Sequence, residues 1–191
     1  MRKGLLIVYS GPSAVGKDTL LKELLKDSNL NLALSVSMTT RAPRNGEKEG
    51  VEYFFVSEER FKQAINNNEL LEYAKYVDNY YGTPLQYVED NRAKGKNVVL
   101  VIEMDGAKKV LKKVKDNVIS IYIVPPTMEE LEKRMRLRNI DNEDSIIKRL
   151  NKAKDEIKNN GFYDYIVQND DFNRAVEEIR SIIIKEQNKL K

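Results

Sequence analysis

The sequence predicts an α/β fold, a parallel sheet joined by crossover helices. Three observations carry this. Residues 5–9, 97–103 and 118–124 are short, unbroken apolar runs rich in branched side chains, the pattern of strands buried on both faces, and residues 165–168 make a weaker fourth. Helix-like stretches separate these runs, as parallel strands require. The first run also leads straight into a glycine-flanked loop that is followed by the amphipathic residues 20–25.

That loop reads Gly11-Pro12-Ser13-Ala14-Val15-Gly16-Lys17-Asp18-Thr19. It fits Gly-x-x-x-x-Gly-Lys, a loop that wraps nucleotide phosphates, and the strand–loop–helix setting is the context that motif needs. Glycines let several backbone N–H groups converge on one anion, and the next helix directs its positive end at the same point. Lys17 adds a mobile cation. The eighth position normally carries a Ser or Thr hydroxyl for Mg²⁺; here it is Asp18, with Thr19 one place later. A carboxylate in a first helical turn is favourable, but beside phosphates it is repelled unless a metal lies between.

Composition narrows the chemistry. The 191 residues suffice for one domain with a sizeable core. There is no Cys and no His, which excludes thiolate metal sites, cysteine nucleophiles and Ser-His-Asp catalysis. Lys and Arg (33) nearly balance Asp and Glu (30), so any anion site must be local and no nucleic-acid partner is expected. Phosphoryl transfer suits this inventory, because it needs positioning and charge neutralisation more than a protein nucleophile. No segment reaches the length of a membrane span, so no membrane partner and a cytoplasmic location are expected.

Helix signals follow in order. Ser57 to Asn67 brackets one helix. Thr83-Pro84 reads as an N-cap with proline first, and Gly95 as the stop. Thr127 and Glu130 form a capping box opening residues 128–138. Asp170-Asp171 open the last helix, with Phe172, Val176, Ile179 and Ile183 on one stripe. Lys108-Lys109 and Lys112-Lys113 read as a solvated helix face. Two stretches break the repeating unit: the polar, aromatic residues 38–82, an insertion, and the charged residues 136–148, with the look of a lid.

The insertion carries Ser37-Met38-Thr39-Thr40-Arg41-Ala42-Pro43-Arg44, then Gly50-Val51-Glu52-Tyr53, then Glu72, then Asn79-Tyr80-Tyr81-Gly82-Thr83. With the loop, this order resembles guanylate kinase over essentially the whole chain. The resemblance implies a P-loop kinase with a five-stranded parallel core sheet flanked by helices (1–36, 84–135 and 150–191), a small mixed α/β GMP-binding insertion (37–83) and a helical lid (136–149). It implies ATP and GMP, or dGMP, as substrates, Mg²⁺ as cofactor, and a monomer or homodimer. By the same resemblance Gly11 to Thr19 and Asn169 bind ATP, while Ser37, Arg41, Arg44, Tyr53, Glu72, Tyr81, Thr83 and Glu103 bind GMP. Lys17, Arg41, Arg134, Arg138 and Arg149 are the catalytic cations. Mg²⁺ is held mainly by phosphates and water, with Asp18 and Glu103 as further candidates. Chemistry agrees: arginine forks match phosphate oxygens, and a carboxylate matches the adjacent N1–H and 2-amino donors of guanine but faces a lone pair on adenine.

Four positions depart from the family pattern. Asp18 stands for Ser or Gly, Ala14 for Gly, and Thr83 for Ser. Val101 replaces the first acid of an acidic-Ile-acidic triplet, a guanine contact in relatives, while Glu103 keeps the second. Asp18 keeps open a kinase of ribose 1,5-bisphosphate. Asp18 and Val101 together keep open a non-catalytic guanylate-kinase-like binding module.

Overall fold

The computed structural model describes residues 2–76, 78–137 and 142–190. Its main sheet holds β1 (Leu6–Ser10), β2 (Leu32–Leu34), β7 (Asn97–Val101), β8 (Val118–Val124) and β9 (Tyr165–Gln168), in the order β2-β7-β1-β8-β9. Every pairing is parallel. The fold is therefore α/β with a five-stranded parallel sheet, as expected. The strand that residue patterns had not marked is β2, an edge strand of three half-exposed residues with too little apolar pattern to stand out.

Alternation along β1 explains why the sheet is covered twice. Leu5, Ile7 and Tyr9 pack on one face with Leu20, Leu24, Ile121 and Ile179. Leu6 and Val8 face the other way, against Val98, Leu100, Met104 and Val110. The first layer comes from α1 (Lys17–Leu24), α5 (Met128–Leu137), α6 (Glu143–Lys158) and α7 (Phe172–Lys189); the second from α3 (Leu85–Ala93) and α4 (Met104–Lys113). Both faces are covered over β1, β7 and β8, so these strands read as continuous apolar runs.

A second sheet is drawn from residues 37–84: β3 (Ser37–Thr39), β4 (Tyr53–Phe55), β5 (Leu70–Tyr76) and β6 (Asn79–Pro84), in the order β4-β3-β6-β5. Helix α2 (Glu58–Asn66) closes it over a small core of Met38, Phe61, Ala64 and Leu70. Ser57 caps α2, accepting the Arg60 N–H, and Asp171 caps α7 in the same way through Arg174. The Thr127 hydroxyl accepts the Glu130 N–H at 3.1 Å, as the capping box requires.

Some local expectations change. Thr83 does not cap α3; it lies within β6, Pro84 takes the cap position, and the Thr83 hydroxyl donates to the Glu72 carboxylate at 2.7 Å. A buried carboxylate loses more without a partner than a helix end open to water. Gly95 does stop α3, in a left-handed conformation at φ +78°. Phe172 leaves the stripe of α7 and is 39% exposed, while Val176, Ile179 and Ile183 are buried. Helix α6 runs unbroken through position 150, where the lid was expected to end.

Candidate active site

The carboxyl ends of β1 and β7 lie side by side, with Tyr9 paired to Val101. The Ser10 hydroxyl donates to the Ile102 carbonyl at 2.8 Å. The glycine-flanked loop thus starts next to Val101, at the edge where open α/β sheets bind ligands.

Two clefts meet here. The first, of about 440 Å³, is lined by Gly11, Pro12, Ser13, Lys17, Arg149 and Lys152 among others. The second, of about 400 Å³, is lined by Asp18, Lys22, Ser37, Tyr53 and Thr83 among others. Val101 and Ile102 line both and form the wall between them.

In the first cleft the loop is braced from behind. The Val15 carbonyl accepts from Asn169 Nδ2 at 2.7 Å and from Arg134 Nη1 at 3.3 Å. A Cβ on Gly16 would lie 2.4 Å from that Asn169 nitrogen, and Gly16 also sits at φ +103°, so glycine is required twice over. Ala14 adopts φ +64°, a left-handed conformation that costs an alanine roughly 1–2 kcal/mol. Lys17 Nζ donates to the Gly11 and Pro12 carbonyls at 2.5 and 2.9 Å, and Arg149 Nη1 donates to the Ser13 hydroxyl at 2.9 Å. Thr19 lies exposed in the first turn of α1. Glu103 lines this cleft, not the second, and pairs with Lys152 at 2.7 Å. Arg138 lies outside the described residues.

Beside the second cleft, Arg41 stacks over Tyr53 with its guanidinium 5.4 Å from the ring centre, and Tyr53 meets Tyr81 edge-on at 5.9 Å. Sequence reasoning missed Glu47, whose two oxygens accept from Arg41 Nη2 at 2.8 and 2.9 Å and whose Oε2 also accepts the Arg44 N–H at 2.7 Å. Arg41 and then that N–H hold its carboxyl below the usual range. Its position three residues after Arg44 was the available signal. Glu72 is 8% exposed, and burial pushes its carboxyl up against the hydrogen bond from Thr83. Asp18 lines the second cleft and Glu103 the first, so the two metal candidates stand on different sides of the wall. Among the described residues, no three or more Asp or Glu gather to hold a metal ion.

A family model described as guanylate kinase matches residues 3–186. The chain belongs to the guanylate kinase family. It is 53% identical over 185 residues to a guanylate kinase of Mesoplasma florum, covering 97% of this chain and 62% of that protein. It is 49% identical over 184 residues to a guanylate kinase of Latilactobacillus sakei, covering 96% and 90%. The chain therefore spans about three fifths of the Mesoplasma relative's length. Among solved structures it is similar to guanylate kinase from Anaplasma phagocytophilum, with 38% identity, a TM-score of 0.75, and 98% and 88% coverage. The SH3-kinase fragment of tight junction protein 3 shares the fold alone, at 15% identity and a TM-score of 0.53, with 97% and 58% coverage. No described helix is long and apolar enough to cross a membrane.

Proposed function

We propose that this guanylate kinase family member transfers the γ-phosphoryl group of ATP to GMP, giving ADP and GDP, in purine nucleotide metabolism. The observation that carries the reading is the pair of clefts sharing the Val101–Ile102 wall. One has the phosphate loop, and the other has Ser37, Tyr53 and Thr83 on the second sheet. Donor and acceptor phosphates brought to that wall from either side would meet without a protein intermediate.

The roles follow from the side chains. In the donor cleft the loop amides and Lys17 cradle the ATP phosphates, with Arg149 against the loop at Ser13 and Arg134 and Asn169 fixing the loop. Arg41, Arg44, Tyr53 and Tyr81 hold the acceptor phosphate, and Glu47 keeps Arg41 aimed. Glu72 accepts from guanine N1–H and the 2-amino group, held by Thr83 while Ser37 lines the same side. Adenine would set an acceptor against this carboxylate. The attacking phosphate oxygen is already ionised, so no general base is required. Preorganised cations lower the barrier by matching charge on the transferring group.

The donor set fits Mg²⁺ only as a guest of the nucleotide. That ion keeps several waters and binds through one or two carboxylates plus substrate phosphates, and Asp18 or Glu103 could each supply one. When bound, Mg²⁺ neutralises phosphate charge and holds the chain of phosphates in line.

The test is ATP-dependent ADP formation with Mg²⁺ at equal concentrations of GMP, dGMP, AMP and ribose 1,5-bisphosphate. A rate with GMP far above AMP supports the reading and shows that Val101 is compensated. Turnover with the ribose bisphosphate alone overturns it.

A further inference from the structure

Helix α4 turns Gly106, Lys109 and Lys113 toward β5; their spacing of three and four puts them on one face. All four lysines of α4 are exposed as residues, as a solvated face would have them, yet two of their ammonium groups donate hydrogen bonds to β5. Lys109 Nζ donates to the Tyr73 carbonyl at 2.9 Å, and Lys113 Nζ to the Leu70 carbonyl at 3.0 Å. Those carbonyls bracket Glu72. Between them Gly106 comes so close that a Cβ there would lie 3.1 Å from Glu72 Oε2. The ladder to β6 is irregular between Leu70 and Tyr73, so regular pairing does not by itself set the strand where Glu72 departs.

We propose that this face of α4 is a specificity device: Gly106, Lys109 and Lys113 position the Glu72 carboxylate for reading the acceptor base and offset the cost of burying its charge. The inference rests on the assignment of Glu72 to base recognition made above.

The charges around Glu72 point the same way. Burial pushes its carboxyl up. Thr83 on β6 and then Lys109 and Lys113 on α4 pull it down, while Glu103, just before α4, pushes it up again. Only the ionised carboxylate offers acceptors to both guanine donors; a protonated one sets a donor against a donor. Replacing the lysines by neutral side chains therefore protonates Glu72 at higher pH. Guanine recognition should then fail earlier as pH falls.

The experiment measures kcat and KM for GMP from pH 5 to 9, with ATP and Mg²⁺, for the full chain and for Lys109→Met and Lys113→Met, singly and combined. Melting temperature is followed in parallel. For the combined variant we expect KM for GMP to rise about tenfold with kcat within about threefold, and the acid limb of kcat/KM to move up by about one pH unit. Lys109→Arg with Lys113→Arg should restore both. Gly106→Ala should raise KM for GMP without moving the limb, because it displaces the carboxylate and leaves its charges in place. An unchanged KM and limb in the folded lysine variants overturn the proposal. Should the combined variant not fold, the single variants and Gly106→Ala decide in the same way. Glu72→Gln separates the two levels. If it leaves the preference for GMP over AMP intact, the base-reading assignment falls and this proposal with it. If it abolishes that preference while the lysine variants behave as wild type, only the role of α4 falls.

Discussion

Lys17 sits where the β1 end, the loop and α1 meet, and its ammonium lies against the Gly11 and Pro12 carbonyls. Lys17→Met should lower kcat by about 10²- to 10³-fold, the usual effect of removing one preorganised donor from a developing charge, with an unchanged melting temperature. Ala14 gives the opposite kind of prediction. Its φ of +64° suits glycine, so Ala14→Gly should stabilise the protein by about 0.5–1 kcal/mol in urea unfolding. A loss of stability would mean that the methyl group packs better than its backbone strain costs. At this scale the sequence was most legible where a motif is local: the glycine-flanked loop lies between β1 and α1, as its pattern predicts. Glu47, the turn of Thr83 toward Glu72, and Asn169 bracing Val15 were not legible, because each depends on a partner that is not adjacent in the chain or on a competition between two partners.

Elements were legible in proportion to their burial and their caps. The strand at 118–124 and the helices capped by Ser57, Thr127 and Asp171 formed where apolar period and cap agreed. Edge strand β2 escaped notice, since three half-exposed residues carry almost no periodicity. Arg92 shows how elements are joined. It sits at 0% exposure in the last turn of α3, an unusual place for a guanidinium. It donates to the carbonyls of Gly4, Asp116 and Asn117 and pairs with Glu89 at 2.6 Å, tying α3 to the start of β1 and to the turn before β8. Arg92→Ala should cost about 3–5 kcal/mol, because it opens a cavity and takes the donor from the Gly4 and Asp116 carbonyls, while Glu89 keeps Lys3 at 2.7 Å. Urea denaturation measures this; a cost below about 1 kcal/mol would show that water replaces the guanidinium without penalty.

The whole molecule responds to pH through two opposed sets of carboxyls. Glu47, Glu69, Asp116, Glu143 and Asp170 are held below their usual values, chiefly by hydrogen bonds from Arg41, Arg60, Lys3, Arg136 and the Asp171 N–H in turn. Their stability is present above the unfolded values near 4 and is lost as pH falls through the folded ones. Glu72 and Glu156 are pushed up by burial, so they favour the fold at low pH and oppose it as pH rises through their folded values. The first set is larger. The melting temperature should therefore hold between pH 6 and 8 and fall on acidification below about pH 5. A rise in stability between pH 5 and 3 would contradict this balance.

The proposed reaction makes one demand above the rest, that donor and acceptor phosphates meet where the two clefts join beside Val101 and Ile102. The measurement is ³¹P NMR of the protein with ATP, Mg²⁺ and either GMP or AMP, following all products in time. We expect ADP and the new β-phosphate of GDP to appear together in equal amounts with GMP, and almost no ADP with AMP. ADP accompanied by inorganic phosphate and no GDP, or equal transfer to AMP, would contradict direct transfer to a base-selected acceptor.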